Sequence, residues 1–396
     1  MGEIMTIETS LPISPFTLAR LDIYVFRANV SAPVVTSFNT MNSRATALLR
    51  VEDTDGAHGW GEIWGNFPTI TSEHRARLAA WALPSLAIGA EVTDPVAFHA
   101  HVRAKLRVIE VQSDEPGPIA GIAAALDQAI WDLAAQKHGI SLRRLLHRNA
   151  PDTVPAYASG LNPKGAASQV TAARAQGFQR FKLKIGFGDD VDLPNIDDIR
   201  AGMTDDETLF VDANMRWSPE EAITQVGKLS DCGLGWIEEP LRADEPAEAW
   251  RALRAATAIP LAGGENLRGD QAFTESLEWL NFMQPDVGKL GGISGCYAIA
   301  RQALNVGVTY CPHWLSGGVG LLHSANLLAG VGGDGFLEMD VNENPLRDAV
   351  SGGAIKLRDG SAHLPVGPGI GLDVDDAVRD LEPRRVFHET ITQAGG

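Results

Sequence analysis

The sequence predicts an α/β protein: a parallel barrel preceded by a smaller α+β domain. Three observations carry this. From about Thr153, short apolar runs recur eight times, at about 25 residues per unit. Amphipathic stretches separate them. Ahead of them, strand-like runs mix with one long Ala-rich helix. Taken in order, Leu18–Asn29 and Ala45–Glu52 read as strands, the second ending in the turn Asp53–Gly59 that leads to Trp60. The segment IAGIAAALDQAIWDLAAQKH (Ile119–His138) has apolar residues at helical spacing, with Gly139 placed as its C-cap. These elements make a domain over residues 1–150. The eight later runs are Val154–Ala158, Phe181–Ile185, Leu209–Ala213, Gly235–Glu238, Pro260–Gly264, Phe282–Asp286, Val308–Pro312 and Gly335–Met339. Strand alternating with helix eight times is a (β/α)8 pattern over 151–370, a doubly wound open sheet being the alternative. A Gly/Pro-rich stretch follows the last run, so the eighth unit reads as incomplete. The charged tail, 371–396, is expected to return to the N-terminal domain.

The 396 residues carry 33 Lys+Arg against 50 Asp+Glu, a formal net charge of −17, with 44% hydrophobic and 21% charged residues. That is a globular composition, and its acidity argues against nucleic-acid binding, which needs a clustered basic surface. No run of about 18 apolar residues is present to span a membrane. No basic residue precedes Arg20 and no apolar stretch opens the chain, so no secretory signal is read there. Cys232, Cys296 and Cys311 are few and lack metal spacing; a reducing cytoplasm is expected. The Gly2–Thr6 match to a myristoylation pattern has no polybasic partner and is set aside, as is the glycine-rich Gly288–Gly295 as a nucleotide loop. His99 and His101, in a helical stretch without matching carboxylates, are expected at the surface.

In such a barrel the chemistry sits at the C-terminal strand ends. Those ends are Lys182 and Lys184, Asp212, Glu238, Glu265, Asp286, His313 and Glu338, separated from Lys184 onward by 28, 26, 27, 21, 27 and 25 residues. A titratable group closing seven consecutive apolar strands is costly unless paired or metal-bound. Asp212, Glu238 and Glu265 on successive strands can converge on a hard cation such as Mg²⁺. Period-2 alternation points only one of Glu238 and Glu239 inward; Glu238 is taken as the ligand and Glu239 as outward or supporting. Lys182 and Lys184 share one face of their strand, and two adjacent ammoniums should lower each other's pKa, making a lysine base. Salt-bridge lysines are the bland alternative. Asp286 and His313, ending adjacent strands, are placed to form an imidazole–carboxylate dyad. Glu338, protonated or hydrogen-bonding, is placed to support negative charge on a substrate oxygen.

In these motifs the chain resembles the enolase superfamily, in its mandelate racemase-type branch. GIAAALDQAIWDLA, KLKIG, VDAN, WIEEP, GGEN, QPD, CPH and LEMD appear in family order across nearly the whole length. The resemblance implies a capping domain over a modified TIM barrel, (β/α)7β, with one Mg²⁺ on Asp212, Glu238 and Glu265. It implies Lys184 as one acid/base with Lys182 beside it, and His313, oriented by Asp286, as the second on the opposite face of the substrate. Glu338 becomes a hydrogen-bond donor to the substrate carboxylate, and Asn214 a substrate contact. It also implies a homo-oligomer, dimer to octamer.

The chemistry so implied is abstraction of a proton α to a carboxylate, giving an ene-diolate; enolase-type sites with a Lys or His base and Mg²⁺ are a known pattern. Racemisation, epimerisation, lactone cycloisomerisation and dehydration share these residues. Polar loops, TSFNTMNSR (Thr36–Arg44, including Asn39) and GEIWGNFP (Gly61–Pro68, including Trp64 and Asn66), suit a polyhydroxylated acid, with Arg216 and Trp217 in reach of a distal group. The expectation is therefore an acid-sugar dehydratase giving a 2-keto-3-deoxy acid. A non-catalytic binding barrel would show gaps in the catalytic set, and none is found.

Overall fold

The computed structural model describes residues 7–392, so Gly2–Thr6 lies outside the described residues. The N-terminal sheet starts with β1 (Phe16–Val35) and β2 (Thr40–Asp53), an antiparallel pair longer than the apolar runs suggested. The ladder loses register between Asn29 and Val34, and the exposed residues there show no alternation to read. β3 (His58–Ile63) adds to β2. Helices α1 (Thr71–Ala82) and α2 (Pro84–Ala87), the short strand β4 (Glu91–Val92) against β1, and α3 (Pro95–Gln112) follow. The Asp94 carboxylate caps α3 by accepting from the Val96 and Ala97 amides.

The Ala-rich segment is α4 (Pro116–Lys137), buried continuously from Ile119 to Ala135, and Gly139 closes it with φ +64°. Its small side chains let other elements pack on all sides. On β3, Gly59 and Gly61 turn the same face toward α4, and a Cβ at either would collide with helix backbone at Ala129 or Ala125. Gly61→Ala is therefore expected to cost at least about 2 kcal/mol in a urea melt, as overpacking against main chain that cannot yield. His99 on α3 faces inward, contrary to expectation: its Nδ1 is 3.6 Å from the Asp127 carboxylate on α4, and burial pushes its pKa down to about 3. His101, on another face of the helix, is exposed.

After α5 (Leu142–Leu146) the barrel begins. Its order is β5 (Thr153–Leu161), α6 (Ala166–Ala175), β6 (Arg180–Lys184), α7 (Asp189–Ala201), β7 (Thr208–Asp212), α8 (Pro219–Lys228), β8 (Ile237–Glu238) and α9 (Ala247–Ala256). There follow β9 (Leu261–Gly263), α10 (Gly269–Ser276), β10 (Phe282–Met283), α11 (Gly292–Asn305), β11 (Thr309–Tyr310), α12 (Gly318–Val331) and β12 (Leu337–Asp340). Strands β5 to β11 are parallel neighbours in sequence order, and β12 returns parallel to β5. Eight strands with seven intervening helices make a (β/α)7β barrel. At the seam between β11 and β12 the Phe336 amide donates to Cys311 Sγ at 3.3 Å. Below the strand ends the interior is filled by stacked Phe210 and Trp236, ring centroids 3.5 Å apart, with Tyr157 edge-on to both.

The chain then forms α13 (Pro345–Ser351) and a hairpin, β13 (Lys356–Arg358) and β14 (Ser361–His363), whose second strand lies antiparallel to β5. Last come α14 (Asp375–Asp380) and β15 (Arg385–Thr392), which pairs antiparallel with β1 at the edge of the N-terminal sheet. No helix among the described residues is long and apolar enough to cross a membrane.

Candidate active site

The titratable strand ends meet at the mouth of the barrel. On β6, Phe181 and Leu183 pack outward, while Lys182 and Lys184 point inward and are buried. The β6–β7 ladder sets Lys184 beside Asp212, and the β7–β8 ladder sets Asp212 beside Glu238. Lys184 Nζ donates to Asp212 Oδ2 at 2.6 Å; Lys182 Nζ donates to Glu238 Oε1 at 2.6 Å and Glu338 Oε1 at 2.7 Å. Asp286 and His313 face each other across a parallel bridge, with 2.6 Å between His313 Nδ1 and Asp286 Oδ2. A carboxylate can only accept there, so Nδ1 carries the proton and Nε2 turns to the interior, 3.1 Å from Glu265 Oε2.

Buried acids outnumber buried lysines. Asp212, Glu238, Glu239, Glu265, Asp286 and Glu338 are six buried acids around three buried lysines, Lys182, Lys184 and Lys289. Burial, only partly offset by Lys182, pushes Glu238 up to about 7, and burial with the charges of Glu265 and Asp212 puts Glu239 well above the usual carboxylate range. The expected lowering of the lysine pKa values is reversed. Burial does favour the neutral amines, but Asp212 and Glu238 together outweigh it at Lys184, and the acids around Lys182, Glu238 and Glu338 foremost, outweigh it there. Glu338 also differs from the expected donor. Burial opposes its charge, yet Lys182 and His313 hold it down to about 2. Both its oxygens accept, from Ser159 Oγ, Lys182 and the Trp314 amide, so it has no proton to give.

Glu239 is not outward. With φ +41° just past β8, it breaks the strand alternation, and its buried carboxylate accepts from Asn266 Nδ2 at 2.9 Å with both oxygens. Asn214, also left-handed at φ +47°, keeps its amide on Asp212 and leaves Oδ1 buried without a partner among the described residues.

A cavity of about 240 Å³ opens over these groups. Lys184, Asn214, Glu239, Glu265, Lys289 and His313 form its polar floor, and Asn39, Trp64 and Asn66 reach it from the N-terminal domain. Apart from Thr36 and Asn266 its remaining wall is apolar, with Phe38, Met41, Phe67, Met215 and Leu315, so the loops expected to be polar are mixed. Arg216 and Trp217 do not line it: Arg216 is exposed and donates to the Gly186 carbonyl, and Trp217 is buried in the core.

With this geometry in hand, comparison with known proteins is decisive. The family pattern described as "Mandelate racemase / muconate lactonizing enzyme, N-terminal domain" matches residues 20–147, and "Enolase C-terminal domain-like" matches 165–378. The chain belongs to this family. A D-galactarolactone cycloisomerase of Agrobacterium fabrum is 28% identical over 90% of this chain and 97% of its own. A D-galactonate dehydratase of Ralstonia nicotianae is 30% identical over 84% and 89%. The crystal structure of a mandelate racemase/muconate lactonizing enzyme from Bordetella bronchiseptica RB50 superposes with a TM-score of 0.87 at 40% identity, covering 94% of this chain and all of that one.

In this family member the three acids read as ligands are not already gathered. Among the described residues, one trio of His, Cys, Asp or Glu has ligand atoms within 4.8 Å of each other, and it is His58, Asp373 and Asp375, at the seam between β3 and the tail. That trio borders a separate hollow of about 590 Å³ with none of the bases, and Asp375 there already accepts from Trp60 Nε1. The barrel acids stand apart because each is drawn to its own lysine: Asp212 to Lys184, Glu238 to Lys182, and Glu265 to Lys289 at 2.5 Å.

Sequence reasoning missed Lys289, Asn266 and Gln284. Lys289 lies in the glycine-rich stretch set aside as a nucleotide loop, yet its Nζ also sits 4.4 Å from the centre of the Trp64 ring. Its position three residues after Asp286 was the available signal. Gln284 Nε2 donates to Glu238 Oε2 at 2.8 Å.

Proposed function

We propose that this protein abstracts the proton α to the carboxylate of a small hydroxy acid and then expels a β-hydroxyl, making it an acid-sugar dehydratase. The observation that carries the reading is one cavity holding both a lysine amine, Lys184, and the nitrogen of an aspartate-oriented imidazole, His313. They stand on different sides of the barrel mouth, three strands apart by way of β5 and β12. One takes the α-proton and the other protonates the leaving hydroxyl.

Asp212, Glu238 and Glu265 are the residues that would hold Mg²⁺. The surplus of buried carboxylates over lysines and their all-oxygen chemistry fit a hard divalent cation. Bound there, Mg²⁺ supplies positive charge against the second negative charge of the ene-diolate and against the acids that here hold Lys184 protonated. Lys182 offsets charge beside it. Glu338 orients Lys182 and the backbone at Trp314 rather than donating a proton. Asn214 Oδ1, buried and unpartnered, accepts from a substrate hydroxyl. Asp286 fixes the His313 tautomer.

Lactone cycloisomerisation is the second reading, favoured by the apolar wall, which suits a compact ring better than an extended polyol. The unpaired state of all three cysteines fits the reducing cytoplasm we propose for the protein. The test is a panel of D-galactonate, arabinonate, galactarate, glucarate and D-galactarolactone with Mg²⁺ in D₂O, followed by NMR. A 2-keto-3-deoxy product with deuterium is expected from at least one acid. Inversion or ring isomerisation alone would replace dehydration, and no α-exchange with any acid would remove the base assignments.

A further inference from the structure

The loop that carries His313 is fastened from outside the barrel. Glu62, on β3 of the N-terminal domain, is fully buried, and by strand alternation it points away from the face that Gly61 turns to α4. Its Oε1 accepts from Thr46 Oγ1 at 2.7 Å, Ser316 Oγ at 2.9 Å and the Gly317 amide at 2.6 Å, and its Oε2 from the Gly320 amide at 3.0 Å. No ion pair to Glu62 is present among the described residues. Burial pushes its pKa up, and the N-terminal amides of the 14-residue helix α12 oppose this.

This is more than a helix cap, because the bonded residues are the His313 loop itself. Ser316 and Gly317 stand three and four positions after His313, and Leu315 between them lines the cavity. The loop's other ties hold it from different sides: the Trp314 amide on Glu338 at 2.9 Å, Trp314 Nε1 on the Gly317 carbonyl at 2.8 Å, and Asn344 Nδ2 on the Ser316 carbonyl at 2.8 Å. At Gly317 no side chain fits, since a Cβ would stand 2.5 Å from Glu62 Oε1. The main chain of Glu62 reaches the dyad's other half as well. Gln128 Nε2 donates both to the Glu62 carbonyl at 3.1 Å and to the carbonyl of Val287, next to Asp286, at 3.0 Å.

We infer that Glu62 is a positioning residue of the N-terminal domain that sets the His313–Asp286 dyad and the Leu315 wall through the Ser316–Gly317 backbone. The inference rests on His313 acting as proposed above, but the dyad's geometry can be read without any substrate. The two backbone amides can only donate, Gly317 to Oε1 and Gly320 to Oε2, so in Glu62→Gln the side-chain N–H must face one or the other. The loop is then pushed from its place.

The test is the low-field proton resonance of His313 Nδ1–H, expected from its short bond to Asp286 and assigned by its loss in His313→Asn. In Glu62→Gln, shown folded by circular dichroism, the signal is expected to shift or vanish. With a panel acid that the wild type turns over, kcat is expected to fall about tenfold to a hundredfold with KM changed less than twofold, the scale of a misplaced catalytic group. Should Glu62→Gln not fold, Ser316→Ala, which removes one of the four bonds, carries the same measurement with a smaller shift. A folded variant with the resonance unmoved would overturn the inference. A wild type with the resonance but no exchange on any acid would instead overturn the proposed base role of His313 and leave the positioning measurement standing.

Discussion

Lys184→Ala is expected to abolish turnover, by about 10³-fold or more, without unfolding the protein. A positioned base contributes about 10²–10⁴-fold, and among the lysines that line the cavity Lys184 is the one paired to Asp212 on the neighbouring strand. The truncation leaves a small gap beside Asp212, whose other oxygen still takes the Asn214 amide at 2.8 Å, so the backbone has little reason to move. His313→Asn should have a comparable effect on turnover, since the shorter amide can still bond to Asp286 but has no basic nitrogen at the position of Nε2. The two losses differ in kind. Deuterium exchange at the α-carbon should survive in whichever variant keeps the base that first removes the proton. Steady-state kcat with circular dichroism decides the matter, and unchanged turnover in either variant would remove that residue from its role.

Removal of divalent cations should be equally drastic. Six buried acids surround three lysines, and burial pushes Glu238 and Glu239 toward their neutral forms, so a divalent cation would let the whole set ionise. A chelator is expected to bring activity to background, with Mg²⁺ restoring it. Binding also predicts a gain in stability, about 2.7 kcal/mol at a hundred times Kd, seen as a higher melting temperature. Sodium chloride at equal ionic strength should give no such rise. Glu265→Gln should raise the Mg²⁺ concentration needed for both effects. A melting temperature and activity indifferent to chelator would remove the metal from the mechanism.

The barrel was legible because its strands are apolar runs closed by a charge, a pattern that survives without knowledge of contacts. Lengths were not. β8, β10 and β11 are each two residues long where four or five had been read, although Gly235, Gln284 and Cys311 beside them still donate to carbonyls of the adjoining strands. The acids and bases were found by position, whereas their surroundings depend on the backbone. Glu239 turned inward because its φ is positive at a strand exit, a property no alternation rule contains. Arg216 was placed in reach of substrate, but the left-handed pair Asn214 and Met215 redirects the chain and lays it against Gly186. The state of Glu338 was hidden in its 156-residue separation from Lys182. Lys289 was screened by the glycines around it.

β15 gives the molecule an order of assembly. Residues 385–392 complete the sheet whose first strand starts at residue 16, pairing with it from Arg20 to Phe26. During synthesis, that flank of β1 therefore waits with open amides and carbonyls until residues 385–392 have been made, more than 350 residues later. An unprotected strand edge invites other chains. The N-terminal sheet is thus closed only after the barrel that follows it has been made.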